Sequence, residues 1–305
     1  MFNVNNMIPK SDKTYVQCEI GIKLEKILTT KKFFPILLTG ESGVGKTFPV
    51  VQTAAKLNRP CFRVNLSKRS NELNLLGGFR LRDGNTHFEF GPVVEAMRCG
   101  GILLLDEVDA ADPEEILCLQ SVMEGNGIYI KEINTFVEPA KGFTVIATAN
   151  TKGLGDDTGK YIGTNILNEA FLERFSVAFE VDYLNTEQEK IVLTSNCKEF
   201  GINVDSKVNN FIDSLIEWAN KIRDTVTKST DIIHTISTRR LIHIINTFSI
   251  FQNERESIVM GISRFDEQHK VAFLTYWDDI LKGDSSTDSE DSENFVLFKD
   301  IKPIP

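Results

Sequence analysis

The chain has 305 residues, 41% hydrophobic and 25% charged, with a net charge of -9. That is enough apolar chain for a large core in two domains or one domain plus a smaller lobe, and the acidic balance argues against broad non-specific DNA binding. Five scattered cysteines without a Cys-x-x-Cys spacing, no apolar run near ~20 residues and an N-terminus without a signal-like apolar core predict a soluble cytoplasmic protein with no membrane partner and no protein-built metal cluster.

From residue 35 to about 182, short apolar runs alternate with helical patterns. Ile36–Thr39, Cys61–Asn65, Ile102–Leu105, Phe143–Ala149 and Val177–Val181 are nearly continuous apolar runs, as strands covered on both faces require. Lys46–Leu57 and Pro113–Glu124 read as helices between them. Asp112 would cap the second, Pro113 suits its first position, and Glu114 and Glu115 favour the positive end of its dipole. The alternation predicts an α/β fold with a parallel sheet. Gly78–Phe90 and Ile128–Val137 interrupt it as hairpin excursions. After Asn185 the spacing of apolar residues becomes helical over Thr186–Glu199, Val208–Thr225, Thr238–Phe251 and Ser263–Leu281, predicting an all-α lobe of four helices. The expected organisation is a nucleotide-binding core at 1–184, a helical lid at 185–282, and an acidic disordered linker with an apolar C-terminal peptide at 283–305. That peptide, FVLFKDIKPIP, either tucks back onto the fold or docks on a partner or neighbouring subunit.

The strongest chemical signal is Gly40-Glu41-Ser42-Gly43-Val44-Gly45-Lys46-Thr47, between a strand and a helix. This is the phosphate-loop pattern in the context it needs: glycines turn successive backbone N–H groups toward phosphate oxygens, and the helix N-terminus adds its dipole. Lys46 would contact the β- and γ-phosphates, and the Thr47 hydroxyl would ligate Mg²⁺. Ile102–Leu105 then delivers Asp106 and Glu107 to a sheet edge, Asp106 to hold Mg²⁺ and Glu107 to orient and deprotonate an attacking water. Asp109 and Asp112 read as turn and cap residues. Asn150 ends another buried run, where its amide would help hold that water. Asn65 ends a third and would hold Glu107 off-line.

Gly153–Gly163, GLGDDTGKYIG, is glycine-rich but fails as a second phosphate loop: Leu154 stands where the first glycine belongs and Tyr161 where the metal-binding hydroxyl belongs. It fails as a calcium loop for lack of alternating acids. It reads as a link from Asn150 to the segment carrying Arg174, and the ring that the family resemblance given next implies would have Asp156, Asp157 and Lys160 make contacts across a subunit interface.

The phosphate loop, the stretch Phe90–Asp109 and the stretch Ala149–Thr164 running on to Asn168–Phe175 together resemble AAA+ ATPases of the MoxR and dynein-related branch, most of all the cobaltochelatase ATPase-subunit (CobS) type. The resemblance implies a P-loop three-layer core with hairpin inserts and a helical lid, ATP and Mg²⁺ as cofactors, and a hexameric homo-oligomeric ring with ATP at subunit interfaces. It makes Asn150 the sensor-1 residue, Arg174 the arginine finger reaching the adjacent subunit's ATP, and Arg239 the lid's sensor-2 arginine, with Arg240 as the alternative. For Arg174 the competing reading is a surface ion pair with Glu173 or Glu169. Phe79, Arg80, Arg82, His87 and Phe88 would grip a substrate or else pack on a neighbour. The resemblance also implies remodelling of a separate protein partner, often one with a von Willebrand A-type domain, in a chaperone or metal-insertion role. Two alternatives stand beside it: a nucleic-acid motor with Lys68, Arg69, Arg80 and Arg82 lining a pore, and a nucleotide-switched scaffold with little hydrolysis.

Overall fold

The computed structural model describes residues 4–153, 155, 161, 163–228 and 234–283. Helix α1 (Glu19–Thr29) precedes strand β1 (Ile36–Thr39), followed by α2 (Thr47–Lys56), β2 (Cys61–Asn65) and the short α3 (Glu72–Leu75). A hairpin, β3 (Gly77–Arg82) and β4 (Asn85–Phe90), leads to α4 (Pro92–Cys99) and β5 (Ile102–Asp106). A one-turn α5 (Gln120–Met123) and a second hairpin, β6 (Ile128–Ile130) and β7 (Thr135–Val137), come before β8 (Thr144–Ala149), α6 (Glu169–Leu172) and β9 (Val177–Glu180). Five helices complete the described chain: α7 (Thr186–Glu199), α8 (Ser206–Lys228), α9 (Thr238–Phe251), α10 (Glu254–Ile262) and α11 (Glu267–Gly283).

The five expected strands pair in parallel in the order β2-β5-β8-β1-β9. Alternate residues feed two cores. Leu37, Leu103, Leu105, Val145 and Ala147 pack toward α4 and the Ile116–Met123 segment. Ile36, Leu38, Ile102, Leu104 and Ile146 pack toward α1 and α2. Burial on both faces explains why the strands read as unbroken apolar runs. Each fully covered aliphatic side chain contributes about 1.5–3 kcal/mol, so this sheet is the rigid frame of the molecule. The register puts Asn65 opposite Asp106 and Thr39 opposite Ala149, which aligns the C-terminal ends of the strands along one edge.

Both hairpins form. The turn Asp83-Gly84 has positive φ at both residues, as the tightest two-residue hairpins need. Phe88 packs edge-on against Phe79 and Phe90, while Phe79, Arg80, Leu81, Arg82 and His87 remain exposed.

Three elements differ from the expectation. Pro113–Glu124 is not one α-helix: it winds as a 3₁₀ segment over Glu115–Leu119 before the single turn of α5. Ile116, Leu119 and Val122 are buried at a spacing of three, which suits a three-residue turn. Asp112 does accept from Glu114 N, at 3.0 Å. The region expected as a lid has five helices among the described residues rather than four, because Asn253 caps a separate α10 and Asp266 starts a shorter α11. α10 gives little apolar signal, since Ser257 and Gly261 supply half its buried face. Gly261 is required there: a Cβ would lie 2.4 Å from the Ile244 side chain of α9. Helix α1 begins without a side-chain cap and lies ahead of the region in which alternation is legible.

The lid has its own core, built around Trp218, Phe273, Trp277 and the apolar faces of α8 and α9. Among the described residues no helix is long and apolar enough to cross a membrane. Of the acidic linker and C-terminal peptide expected at 283–305, Gly283 instead ends α11, and the rest lies outside the described residues.

Candidate nucleotide site

The phosphate loop leaves β1 at Gly40 and closes into α2 at Thr47. Gly40, Gly43 and Gly45 all have positive φ, the conformation that curls the loop around an anion. Inside it, Lys46 Nζ donates to Gly40 O at 2.6 Å, Glu41 O at 2.9 Å and Asn150 Oδ1 at 2.9 Å. Burial pushes the lysine pKa down to about 8 against the opposing pull of Asp109, Asp106 and Glu107. A phosphate arriving beside it would raise that pKa again and favour the charged form further.

Thr47 Oγ1 donates to Asp106 Oδ1 at 2.9 Å, and Thr148 Oγ1 donates to the same oxygen. The other oxygen receives Arg63, through Nε at 2.9 Å and a terminal nitrogen. Burial alone would raise the Asp106 pKa, but the hydrogen bonds from Thr148, Thr47 and Arg63 outweigh it and hold the carboxyl below its usual range. A buried carboxylate beside a hydroxyl at hydrogen-bond distance is the oxygen donor set a hard divalent cation takes. Thr47 and Asp106 would hold Mg²⁺ there.

Glu107 is exposed and left-handed, at φ +59°, with its N–H donating to Thr148 Oγ1 at 3.0 Å. Such a conformation costs a non-glycine residue on the order of 1–3 kcal/mol and persists where its surroundings enforce it. Here it turns the side chain out of the strand at the open edge. Asn65 stands in register with Asp106 on the adjacent strand but makes no hydrogen bond to Glu107.

Two residues that the sequence reading did not place in the site build this edge. Asp109, expected as a turn residue, is fully buried, and its Oδ2 accepts from Asn150 N, Thr151 N and Thr151 Oγ1 at 2.9–3.0 Å. It fixes the end of β8 and thus the amide of Asn150. Arg63 supplies the countercharge to Asp106. Neither motif spacing nor strand pattern points to them; only the register of β2, β5 and β8 does.

A cavity of about 540 Å³ opens beside the loop, lined by Thr14, Tyr15 and Val16, by Gly43–Gly45 and Phe48, and by Tyr183, Thr238 and Arg239. Its size suits a small-molecule ligand, and it brings the N-terminal segment at Thr14–Val16 against the loop. Tyr15 and Phe48 meet edge to face at 5.4 Å. The lid reaches the loop at Gly43, where a Cβ would lie 2.5 Å from Ser237 Oγ. Arg239 follows at once, exposed, and lines this cavity and a second one next to it. Tyr183 OH donates to Glu41 Oε2 at 2.7 Å, and its ring carries Arg223 at 3.9 Å. Arg223 is in turn bidentate to the buried Glu189, which also accepts from Thr238 Oγ1 at 2.6 Å. Loop and lid are therefore tied through a continuous set of polar contacts.

Arg174 lies apart from these residues. Its Nε donates to Glu124 Oε1 at 2.9 Å and a terminal nitrogen donates to Ala170 O, so its partner is neither Glu173 nor Glu169. In the segment 153–163, Asp156, Asp157 and Lys160 lie outside the described residues. Tyr161 OH accepts from Ser42 N at 3.1 Å, which sets Tyr161 on the phosphate loop.

A parallel sheet in this order, with a phosphate loop after one inner strand and paired acids after another, defines a P-loop nucleotide-binding fold. Residues 35–175 match the AAA domain of the dynein-related subfamily. Protein NorQ of Paracoccus denitrificans is 30% identical over 210 residues, covering 68% of this chain and 71% of that one. The chain belongs to the dynein-related, MoxR-like AAA family. The aerobic cobaltochelatase subunit CobS of a Sinorhizobium species is 34% identical over 170 residues, 54% of this chain; the match spans 51% of the CobS chain, about half its length. The fold also resembles NtrX from Brucella abortus, solved in complex with ADP, with a TM-score of 0.54 at 19% identity over 78% of this chain and 51% of that one.

Proposed function

We propose that the chain is a Mg²⁺-dependent ATPase working as a homo-oligomeric, hexameric ring that remodels a separate protein partner in a chaperone or metal-insertion role. Residues 1–184 serve as the nucleotide core, 185–282 as the lid and 283–305 as linker and tail. The observation that carries the reading is the convergence of Lys46, Asn150, Thr47, Asp106 and Glu107 at one sheet edge, with Lys46 bonded to Asn150 and Thr47 to Asp106. Gly40 to Lys46 cradle the phosphates, Lys46 exchanging its Asn150 contact for the β- and γ-phosphates. Mg²⁺, held by Thr47 and Asp106, would neutralise charge on the phosphates. Glu107 orients the attacking water and takes its proton, while Asn150 holds that water against the γ-phosphate. Arg239 closes on the γ-phosphate from the lid, and Arg174 reaches the ATP of the adjacent subunit. Its pairing with Glu124 does not oppose this, because a partly exposed ion pair is worth about 0–1 kcal/mol. The exposed Phe79, Arg80, Leu81, Arg82 and His87 are the surface we assign to gripping the partner, which would suit one with a von Willebrand A-type domain.

The test is ATPase rate per chain against protein concentration. The rate should rise with assembly, and Arg174→Ala should lower it by about 10³–10⁵-fold. A rate independent of concentration and unchanged by Arg174→Ala would sink the shared-site ring. Capture by the Glu107→Gln protein of nuclease-sensitive material alone would replace the protein partner with nucleic acid.

A further inference from the structure

The turn that follows Glu107, Val108–Ala110, grips the chain both before and after the glycine-rich stretch 153–163. Before it, the buried Asp109 carboxylate takes the N–H groups of Asn150 and Thr151 through Oδ2. After it, Asn165 donates twice to the same region: its backbone N to Asp109 O and its side-chain Nδ2 to Ala111 O, each at 2.7 Å. Two donors on one residue, set against carbonyls two residues apart, fix orientation as well as distance. Asp109 and Ala111 are fully buried and Asn165 is half-buried, so water does not freely replace a partner lost here. From Asn165 the chain is held as far as Arg174. Leu167 N donates to Gly153 O at 2.9 Å, and the Leu167 and Phe171 side chains are buried in the core shared with α4. Asn168 caps α6 by accepting from Ala170 N at 2.8 Å, and Arg174 N donates to Phe171 O. Asn165 lines neither of the two cavities beside the phosphate loop.

We propose that Asn165 is a positioning residue: it locks the segment carrying Arg174 to the turn after Glu107, so that the water-activating acid of one subunit and the arginine offered to the next move as one unit. A ligand that shifts Glu107 or Asn150 shifts the Asp109–Ala111 turn between them, and the two hydrogen bonds from Asn165 pass that shift to α6. The effect on hydrolysis rests on the proposed shared-site ring; the tie itself rests on the turn geometry alone. Contiguity of contacts becomes coupling only when two positions are shown to act through each other, and that is what the experiment measures.

The experiment uses the full chain as parent, Asn165→Ala, Asn165→Asp, Arg174→Ala and the double variant of Asn165→Ala with Arg174→Ala. Asn165→Asp keeps the side-chain shape and turns the Nδ2 donor into an acceptor facing Ala111 O. Affinity for a non-hydrolysable ATP analogue is read first and should be unchanged in both Asn165 variants. A loss of affinity equal to the loss of rate would make Asn165 part of the nucleotide site and overturn the proposal. Where the rate per chain has reached its plateau with concentration, Asn165→Ala should lower hydrolysis by about two- to tenfold, the worth of one neutral hydrogen bond, and Asn165→Asp by at least as much. In the Arg174→Ala background the same change should add nothing, because a residue that acts through Arg174 has nothing left to position. Losses that multiply would overturn the proposal and leave Asn165 a structural part of the turn. Hydrogen exchange over residues 167–175 reads the tie without relying on Arg174. In the parent the analogue should slow exchange there, and in both Asn165 variants that response should vanish while slowing at 40–47 remains. Exchange indifferent to the analogue in the parent, or slowed alike in the variants, would overturn the tie. If exchange responds as expected and Arg174→Ala leaves the rate unchanged, the shared-site ring fails and the tie stands.

Discussion

The two walls of the site differ in how far each is satisfied before any ligand arrives. On the core side most of the charged atoms are already engaged: Lys46 has three acceptors, Asp106 is held by Thr47, Thr148 and Arg63, and Asp109 Oδ2 takes three donors from the end of β8, while Asp109 Oδ1 is buried without a hydrogen-bond partner among the described residues. On the lid side Arg239, Arg240 and Arg264 face a cavity with one carboxylate, itself engaged, among its described lining residues. The core is preorganised and the lid is poised. A nucleotide would find its phosphate cradle built and would bring the negative charge that the lid lacks. Closure of the lid would then follow from electrostatics rather than from new apolar contacts.

The largest effects should test the core side. Glu107→Gln should lower hydrolysis by about 10²–10⁴-fold, as for loss of a general base, with nucleotide affinity retained; steady-state rates beside equilibrium binding will read both. Equal loss of both would mean that Glu107 builds the loop rather than activates water. The lid's own frame comes next. Glu189→Gln leaves the Arg223 charge buried without its carboxylate, a change that costs about 3–5 kcal/mol. Chemical denaturation should show it as loss of the lid, so a shift under about 1 kcal/mol would show that the tie is dispensable. Smaller again is Arg63→Ala. Removing a cation from Asp106 Oδ2 should let Mg²⁺ compete more easily, and the concentration giving half-maximal Mg²⁺-dependent binding of a fluorescent nucleotide should fall about tenfold, since a hydrogen bond to a charged group is worth about 1.5–3 kcal/mol. A rise instead would make Arg63 the residue that holds Asp106 in place for the metal.

What could be read in advance follows from how local each signal is. The phosphate loop and Ile102–Glu107 are contiguous and carry their own strand and helix context, so the sheet and its loaded edge were legible. Asp109 and Arg63 act through register: each matters because β2, β5 and β8 lie side by side, a relation no single segment encodes. α10 was hidden because a serine and a glycine form half its buried face, and the 3₁₀ turn at Glu115–Leu119 because its apolar spacing of three passes for helix. The resemblance to a known family marked Arg174 and Arg239, yet it gave no hint that Glu124 holds the first or that the second heads a basic wall.

The finest test of the comparison is Tyr161. Its hydroxyl accepts the Ser42 N–H, one of the loop amides that a phosphate oxygen would otherwise engage, so it stands between the poised and preorganised walls. Ser42 is exposed, and water can replace the lost acceptor in Tyr161→Phe; a neutral hydrogen bond of this kind is worth about 0.5–1.5 kcal/mol. If the segment 153–163 links one subunit's loop to the next, the substitution should reduce the Hill coefficient of ATP hydrolysis while changing ATP affinity by less than about threefold. A tenfold loss of affinity with cooperativity intact would instead make Tyr161 part of the phosphate cradle. The apparent second phosphate loop would then serve the first one directly, and the coupling between subunits would have to run through Arg174 alone.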